Sequence, residues 1–247
     1  MRPKLEYILK TIPLNESTTL LDIGCGNGIY SYYFAQVCGT VTGIDSSQNM
    51  LLENPCGNVV QGNAAHLPFS ANSFDIAFEA NLIHHVDNRA EVVQEMARVS
   101  RRWIILIEPN RNNPLMLAFG LVVPAERGLL TSTRKSNFTL LCEAGLNPVS
   151  WMTTGMISQN NTPQSLLPVL KYFDRDVWYG EYVILIAEKV SISCLERSME
   201  QERKQLAAVT YDPGEQFVFR LCAHAAESMP KLCTRMAHNS AHIRCVG

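Results

Sequence analysis

The feature that most limits what this chain can fold into is a break at Gly24-Cys25-Gly26-Asn27-Gly28, set directly behind the apolar, partly β-branched run Thr18 to Ile23. A run of that kind ending in glycines predicts a short buried strand that stops in a turn. Glycines let the main chain bend tightly there and approach a ligand with no Cβ in the way. A helical stretch from Ile29 to about Val37 follows. Its N-terminus would offer free N–H groups and the positive end of a dipole, which suits a carboxylate or phosphate. In a parallel sheet this is the carboxyl edge, where ligands bind.

The same rhythm continues. Residues Pro3 to Thr11 can form one helix ahead of the first strand. Thr40 to Ile44 predicts a second strand, Ser46 to Glu53 a helix with a Ser cap, Asn58 to Gln61 a third strand and Phe74 to Phe78 a fourth. Ala90 to Ser100 carries helical spacing and Trp103 to Ile107 is a fifth strand. Nearly all-apolar strands alternating with helices require a mostly parallel sheet covered on both faces. After Glu108 the pattern changes. Residues Arg111 to Gly128 form an Asn- and Pro-punctuated insertion around the apolar run Leu115 to Val123, which Pro124 stops. A helix from Lys135 to Ala144 should end at Gly145. Val149 to Thr154 and Glu181 to Glu188 then read as a hairpin-like pair of strands. The expected fold class is α/β: a Rossmann-like, doubly wound, seven-stranded sheet with an antiparallel last strand. Residues 1–190 would form this domain, with 111–135 as a lid-like insertion. Residues 191–247 would be a helical or partly disordered extension of unknown role.

Composition narrows the partners. With 47% hydrophobic and 18% charged residues in 247, the chain has apolar mass for a core, and its net charge of −2 gives no global attraction to nucleic acid. No nucleic-acid partner is expected. The longest apolar run, Leu115 to Pro124, is half of the about 20 residues that span a bilayer, so no transmembrane segment is expected. Met1 to Pro13 carries Arg2, Lys4, Glu6 and Lys10 and does not read as a signal peptide. The eight cysteines form no CxxC pair. The default is reduced thiols and a cytoplasmic location. Oligomeric state is not readable.

Two cofactor classes use loops like this one. A dinucleotide fingerprint needs G-x-G-x-x-G/A, and Ile29 stands at its last position. The actual pattern is G-x-G-x-G, with Asp22 two residues upstream and Asp45 closing the second strand. A carboxylate at Asp45 can accept hydrogen bonds from both hydroxyls of a ribose, as a nucleoside without pyrophosphate would require.

At these residues the chain resembles the class I S-adenosylmethionine-dependent methyltransferases, particularly the small-molecule branch of ubiquinone and menaquinone biosynthesis enzymes, over about residues 16 to 190. The resemblance implies S-adenosylmethionine as cofactor. It implies that Gly24, Cys25, Gly26 and Gly28 pass under the methionine part, that Asp22 helps hold the loop and the amino group, that Asp45 binds the ribose and that Ser46 lies against the adenine. Gly62-Asn63-Ala64-Ala65-His66-Leu67-Pro68-Phe69 stands where the family usually shows G-D-A-x-x-L-P-F. Asn63 then replaces the acid that meets the adenine amino group, and its carbonyl can still accept; the Ala64 N–H would meet a ring nitrogen. Phe74 through Val86 resembles the family's fourth-strand segment, so Glu79, Ala80 and Asn81 would lie near the sulfonium. His84 is the candidate catalytic residue, as an acceptor-orienting group or proton acceptor; alternatively one of His84 and His85 packs or caps the helix and the other is solvated. Ser100-Arg101-Arg102-Trp103 replaces the family's Pro-Gly-Gly and reads as a different turn. Glu108, Pro109 and Asn110 fall on the carboxyl edge, either as contacts to the methyl acceptor or as solvated surface.

Methyl transfer asks the protein mainly for position and a dry pocket, so no nucleophile is assigned. The apolar insertion predicts a small, hydrophobic, lipid-like acceptor, unless Leu115 to Val123 merely packs on the sheet. A protein or RNA methyltransferase and a non-catalytic cofactor-binding regulator share this fold. No metal site is assigned: Cys222, His224, Cys233, His238, His242 and Cys245 are ligand types without the paired spacing of zinc sites.

Overall fold

The computed structural model describes residues 2–155, 165, 168 and 177–189. The extension from residue 191, with its cysteines and histidines, lies outside the described residues.

Seven strands form one sheet in the order β3-β2-β1-β4-β5-β7-β6. They are β1 (Thr19–Ile23), β2 (Thr40–Asp45), β3 (Val59–Gln61), β4 (Phe74–Ala80), β5 (Ser100–Pro109), β6 (Leu146–Thr153) and β7 (Tyr182–Lys189). The first five are parallel, while β7 runs antiparallel to both β5 and β6. The order reverses at β1, where chain connections leave in opposite directions and open a crevice at the carboxyl edge. The α/β class, the seven strands and the antiparallel last strand are as the sequence leads one to expect. β6 lies at the sheet edge with its register broken between Pro148 and Ser150, a position that tolerates a proline lacking an N–H.

The helices are α1 (Arg2–Thr11), α2 (Ile29–Phe34), α3 (Gln48–Leu52), α4 (Arg89–Val99), α5 (Pro114–Val122) and α6 (Arg134–Glu143). Alternate strand residues feed two cores. Leu20, Ile76, Phe78, Ile105 and Ile107 pack with Ile8 and Ile12 of α1 and Phe34 of α2. Leu21, Ile23, Ala77, Ile104 and Leu106 pack on the other face with Val92, Val93 and Met96 of α4 and Leu141 of α6. That period of two on each strand, with helices on both sides, makes three layers.

Local chemistry sets the boundaries. Asn113 caps α5 by accepting the N–H groups of Leu115 and Met116, with Pro114 in the first turn. Thr133 and Ser136 form a capping box on α6, and Gly145 ends it at φ 75. Three expectations need correction. The Ser cap of α3 is Ser47, whose side chain accepts from the Met50 N–H, so the helix begins later than Ser46. Ser100 to Arg102 is not a turn: β5 begins at Ser100, paired with Phe74 before the register shifts. Leu115 to Val123 does not pack flat on the sheet, since Leu115, Leu117, Phe119, Leu121 and Val122 are exposed and only Gly120 of α5 is buried. A 3-10 segment, Pro124–Thr131, follows α5 and was not foreseen. No helix among the described residues is long and apolar enough to cross a membrane.

The core makes one stability prediction. Phe78 is fully buried, with its ring 5.0 Å from Tyr30 and 4.9 Å from Phe34. Replacing it with Ala leaves a cavity where three rings meet and should cost about 3–5 kcal/mol in urea unfolding; a loss below about 1 kcal/mol would show that the cluster collapses around the gap.

Candidate functional site

The crevice at the β1 tip is made by backbone that only glycine adopts readily. Gly24, Gly26 and Gly28 lie at φ 69, 50 and 79, in the left-handed region. The N–H groups of Gly24 and Cys25 both donate to the Ile44 carbonyl, at 2.8 and 3.1 Å, folding the loop over the end of β2. Gly28 is the left-handed N-cap of α2. A Cβ on Gly28 would collide with the Asn54 side chain, and one on Gly24 would stand 3.0 Å from Leu82 Cδ1. The loop is thus hemmed by the end of α3 on one side and the tip of β4 on the other.

Two carboxylates serve this loop differently. Asp45 Oδ2 accepts the Gly26 N–H at 2.9 Å and Oδ1 accepts the Ser47 N–H at 2.8 Å. Each oxygen keeps a lone pair for a further donor. Asp22 is 2% exposed and accepts the Ser31 hydroxyl at 2.6 Å. Burial pushes its pKa up to about 7, the Ser31 hydrogen bonds oppose this, and the nearby Asp45 charge adds to the rise. Burial first, then Asp22 and Asp45, push the Cys25 thiol up to about 12, so Cys25 is a neutral spacer.

The flank formed by β2, α3 and β3 carries the other expected contacts. Ser46 is exposed, and its carbonyl accepts from Gln61 Nε2 at 3.1 Å. Asn63 and Ala64 lie in a turn in which Asn63 Oδ1 accepts the Ala65 N–H at 2.9 Å. Two residues not singled out from the sequence belong here. Met50 Cε would lie 3.3 Å from a Cβ on Gly26, and Asn54 Nδ2 donates to the Gly26 carbonyl at 3.3 Å. Their only sequence signal is helical spacing from Ser47 back toward the loop.

At the tips of β4 and β5 the carboxylates are internal. Glu79 is fully buried and accepts the Leu82 N–H at 3.1 Å, while its Oε1 finds no donor among the described residues. Burial, and secondly the Glu108 charge, raise its pKa well above the usual carboxylate value. Ala80 beside it is half-buried, and Asn81 takes a left-handed φ of 59. Glu108 accepts the N–H groups of Ile83 at 3.0 Å and His84 at 3.2 Å, and lies 2.8 Å from His84 Nδ1. The expectation for Glu108 and Asn110 is therefore corrected. Neither is solvated surface nor an open contact. Glu108 braces the 3-10 turn Ile83–His85, and Asn110 holds the carbonyls of Trp178 and Gly180 at 3.0 and 2.9 Å. His84 is buried and His85 is 41% exposed on its side chain. Both line a cleft of about 490 Å³ with Asp87, Arg89, Gly128 and Thr131.

Comparison with known proteins fits this geometry. Residues 21–104 match the methyltransferase domain family. The chain is 35% identical over 103 residues to a demethylmenaquinone methyltransferase of Listeria monocytogenes, covering 37% of this chain and 44% of that protein. It is 32% identical over 124 residues to a demethylmenaquinone methyltransferase of Desulfitobacterium hafniense, covering 45% and 49%. The chain thus spans less than half the length of these relatives. A solved SAM-dependent methyltransferase of Thermotoga maritima superposes with a TM-score of 0.59 at 17% identity, covering 76% of this chain and 88% of that one. The fold is that of this methyltransferase class, and the chain resembles its menaquinone-type members.

The buried Asp22 gives a pH test. A raised folded-state pKa means that the folded protein keeps a proton the unfolded chain releases, so stability falls as pH rises from about 4 and levels off past about 7. Asp22→Asn removes that titration and should flatten the decline relative to wild type by on the order of 4 kcal/mol, measured by urea unfolding across pH 4 to 8. Parallel curves for the two proteins would contradict the assignment.

Proposed function

We propose that this chain transfers a methyl group from S-adenosylmethionine to a small, hydrophobic acceptor. The observation that carries the reading is the pairing of three left-handed glycines behind β1 with Asp45 closing β2. A cradle that a Cβ would fill, joined to a carboxylate with spare lone pairs, suits an amino-acid tail followed by a ribose.

When bound, the cofactor supplies an electrophilic methyl group on a sulfonium. This chain's residues bind and orient it. Gly24, Cys25, Gly26 and Gly28 underlie the methionine part, and Asp45 receives the ribose hydroxyls while it keeps the Gly26 N–H. Ser46, Asn63 and Ala64 border the adenine, with Met50 as an apolar neighbour. Asp22, held at a pKa of about 7 at the end of β1, would ionise as a cationic guest arrives. Glu79 and Ala80 stand under the methionine end. Beyond them His84, its ring fixed by Glu108, lines the cleft as an acceptor-orienting group.

Segment 111–135 carries α5, whose exposed Leu115, Leu117, Phe119, Leu121 and Val122 supply a hydrophobic surface. Gly120 of the same helix faces Leu130 in the 3-10 segment that lines the cleft. We read this insertion as the acceptor lid of a domain formed by residues 1–190. The demethylmenaquinone named for the Listeria and Desulfitobacterium relatives is an acceptor of this character.

Two measurements test the reading. In titration calorimetry, S-adenosylmethionine should bind the wild type, and Asp45→Ala should weaken it roughly 10- to 100-fold through loss of hydrogen bonds to a charged group; equal affinity in the two proteins, or none in the wild type, rejects it. With a short-chain demethylmenaquinone as acceptor, Leu121→Ser with Val122→Ser should raise the acceptor KM by roughly tenfold or more, as about 1.5 kcal/mol of apolar contact per side chain is lost. Cofactor affinity should not change. Equal loss of both would reject the lid.

A further inference from the structure

We propose that His84, His85 and Glu126 form a binding site for a divalent transition-metal ion of the zinc class, with Glu108 orienting His84 and the fourth position open to the cleft. One candidate ligand atom from each of His84, His85 and Glu126 lies within 4.8 Å of the other two. Glu126 Oε2 stands 3.5 Å from His84 Nε2 and 4.0 Å from His85 Nε2. A tetrahedral ion with bonds near 2.1 Å holds its ligand atoms roughly 3.4 Å apart, so a small inward movement of the half-buried Glu126 and of the more exposed His85 completes the set.

The arrangement behind His84 has the form of an outer shell. A metal-bound imidazole usually donates its second ring N–H to a carboxylate, which fixes the tautomer. Glu108 does this at 2.8 Å on Nδ1 and is itself held by the N–H groups of Ile83 and His84. Nδ1 is the protonated nitrogen by this partner, and the lone pair on Nε2 faces Glu126. A simple ion pair between an imidazolium and Glu126 would draw Nε2 and oxygen to roughly 2.8 Å, shorter than the 3.5 Å found. The two rings lie 4.0 Å apart, centre to centre, with their planes tilted by 40°.

Charge and backbone agree. Glu108 and Glu126 flank the His84 ring and Asp87 lines the cleft, where the facing cation, Arg89, donates to the Gly128 carbonyl at 2.7 Å. Gly128 lies so close that a Cβ there would collide with the His84 carbonyl oxygen, which holds the segment bearing Glu126 against the histidine turn. Two imidazoles and one carboxylate with an open position suit zinc, cobalt or nickel ahead of calcium or magnesium, which prefer oxygen. Zinc sites of two histidines and a glutamate keep their fourth position for water or an incoming oxygen ligand.

The site does not depend on the methyl-transfer reading, and its test needs no turnover. The full chain, stripped with chelator, is titrated with Co(II) and followed by visible absorption and calorimetry, alongside His85→Ala and Glu126→Gln. Both side chains are partly exposed, and circular dichroism checks that the variants fold. The wild type should bind one Co(II) with the visible bands of a nitrogen and oxygen site and no thiolate charge-transfer band, and each variant should lose that step or weaken it by tenfold or more. Identical stoichiometry and affinity in all three proteins, binding seen only through thiolate bands, or no Co(II) binding by the wild type would overturn the proposal.

Discussion

The Asp45 carboxylate is the contact on which the crevice depends. One oxygen receives the N–H of Gly26 and the other the N–H of Ser47, so a single side chain ties the loop behind β1 to the start of α3. The Gly24 and Cys25 N–H groups on the Ile44 carbonyl and Asn54 on the Gly26 carbonyl complete the hold on the loop. A charge committed here also acts on its neighbour. Burial raises the Asp22 pKa to about 7, and the nearby Asp45 charge adds to that rise. A positively charged guest would oppose that rise by favouring ionised Asp22.

On the far side of the β4 tip, Glu108 plays a comparable part. It gathers two main-chain N–H groups and the His84 ring. Its charge, after burial, is the main cause that raises the pKa of Glu79 on the adjacent strand. Leu82 bridges the two regions, with its side chain against Gly24 and its N–H on Glu79.

Much of this was legible because it is local. The apolar runs, the helix caps and the glycine break depend on near neighbours, and these place the parallel strands and the crevice. Where a reading failed, the cause was long-range. Glu108 at a strand end looks solvated until the 3-10 turn at Ile83 to His85 folds over it. Ser100 to Arg102 looks like a turn until Phe74 pairs with it. Glu126 sits in a polar insertion whose 3-10 form is fixed by Gly128 pressing on the His84 carbonyl, a contact no periodicity announces. Asn54 has an ordinary helix-end identity, and only the missing Cβ of Gly28 makes room for it.

The central claim is that the glycine bend and Asp45 form a receptor for a sulfonium nucleoside. A crystal structure of the full chain grown with S-adenosylmethionine tests it most directly. The account predicts the methionine part resting on Gly24 to Gly28 and both ribose hydroxyls within hydrogen-bond reach of the Asp45 carboxylate. Clear density for the nucleoside elsewhere, with Asn54 still bonded to the Gly26 carbonyl and the crevice closed, would contradict it.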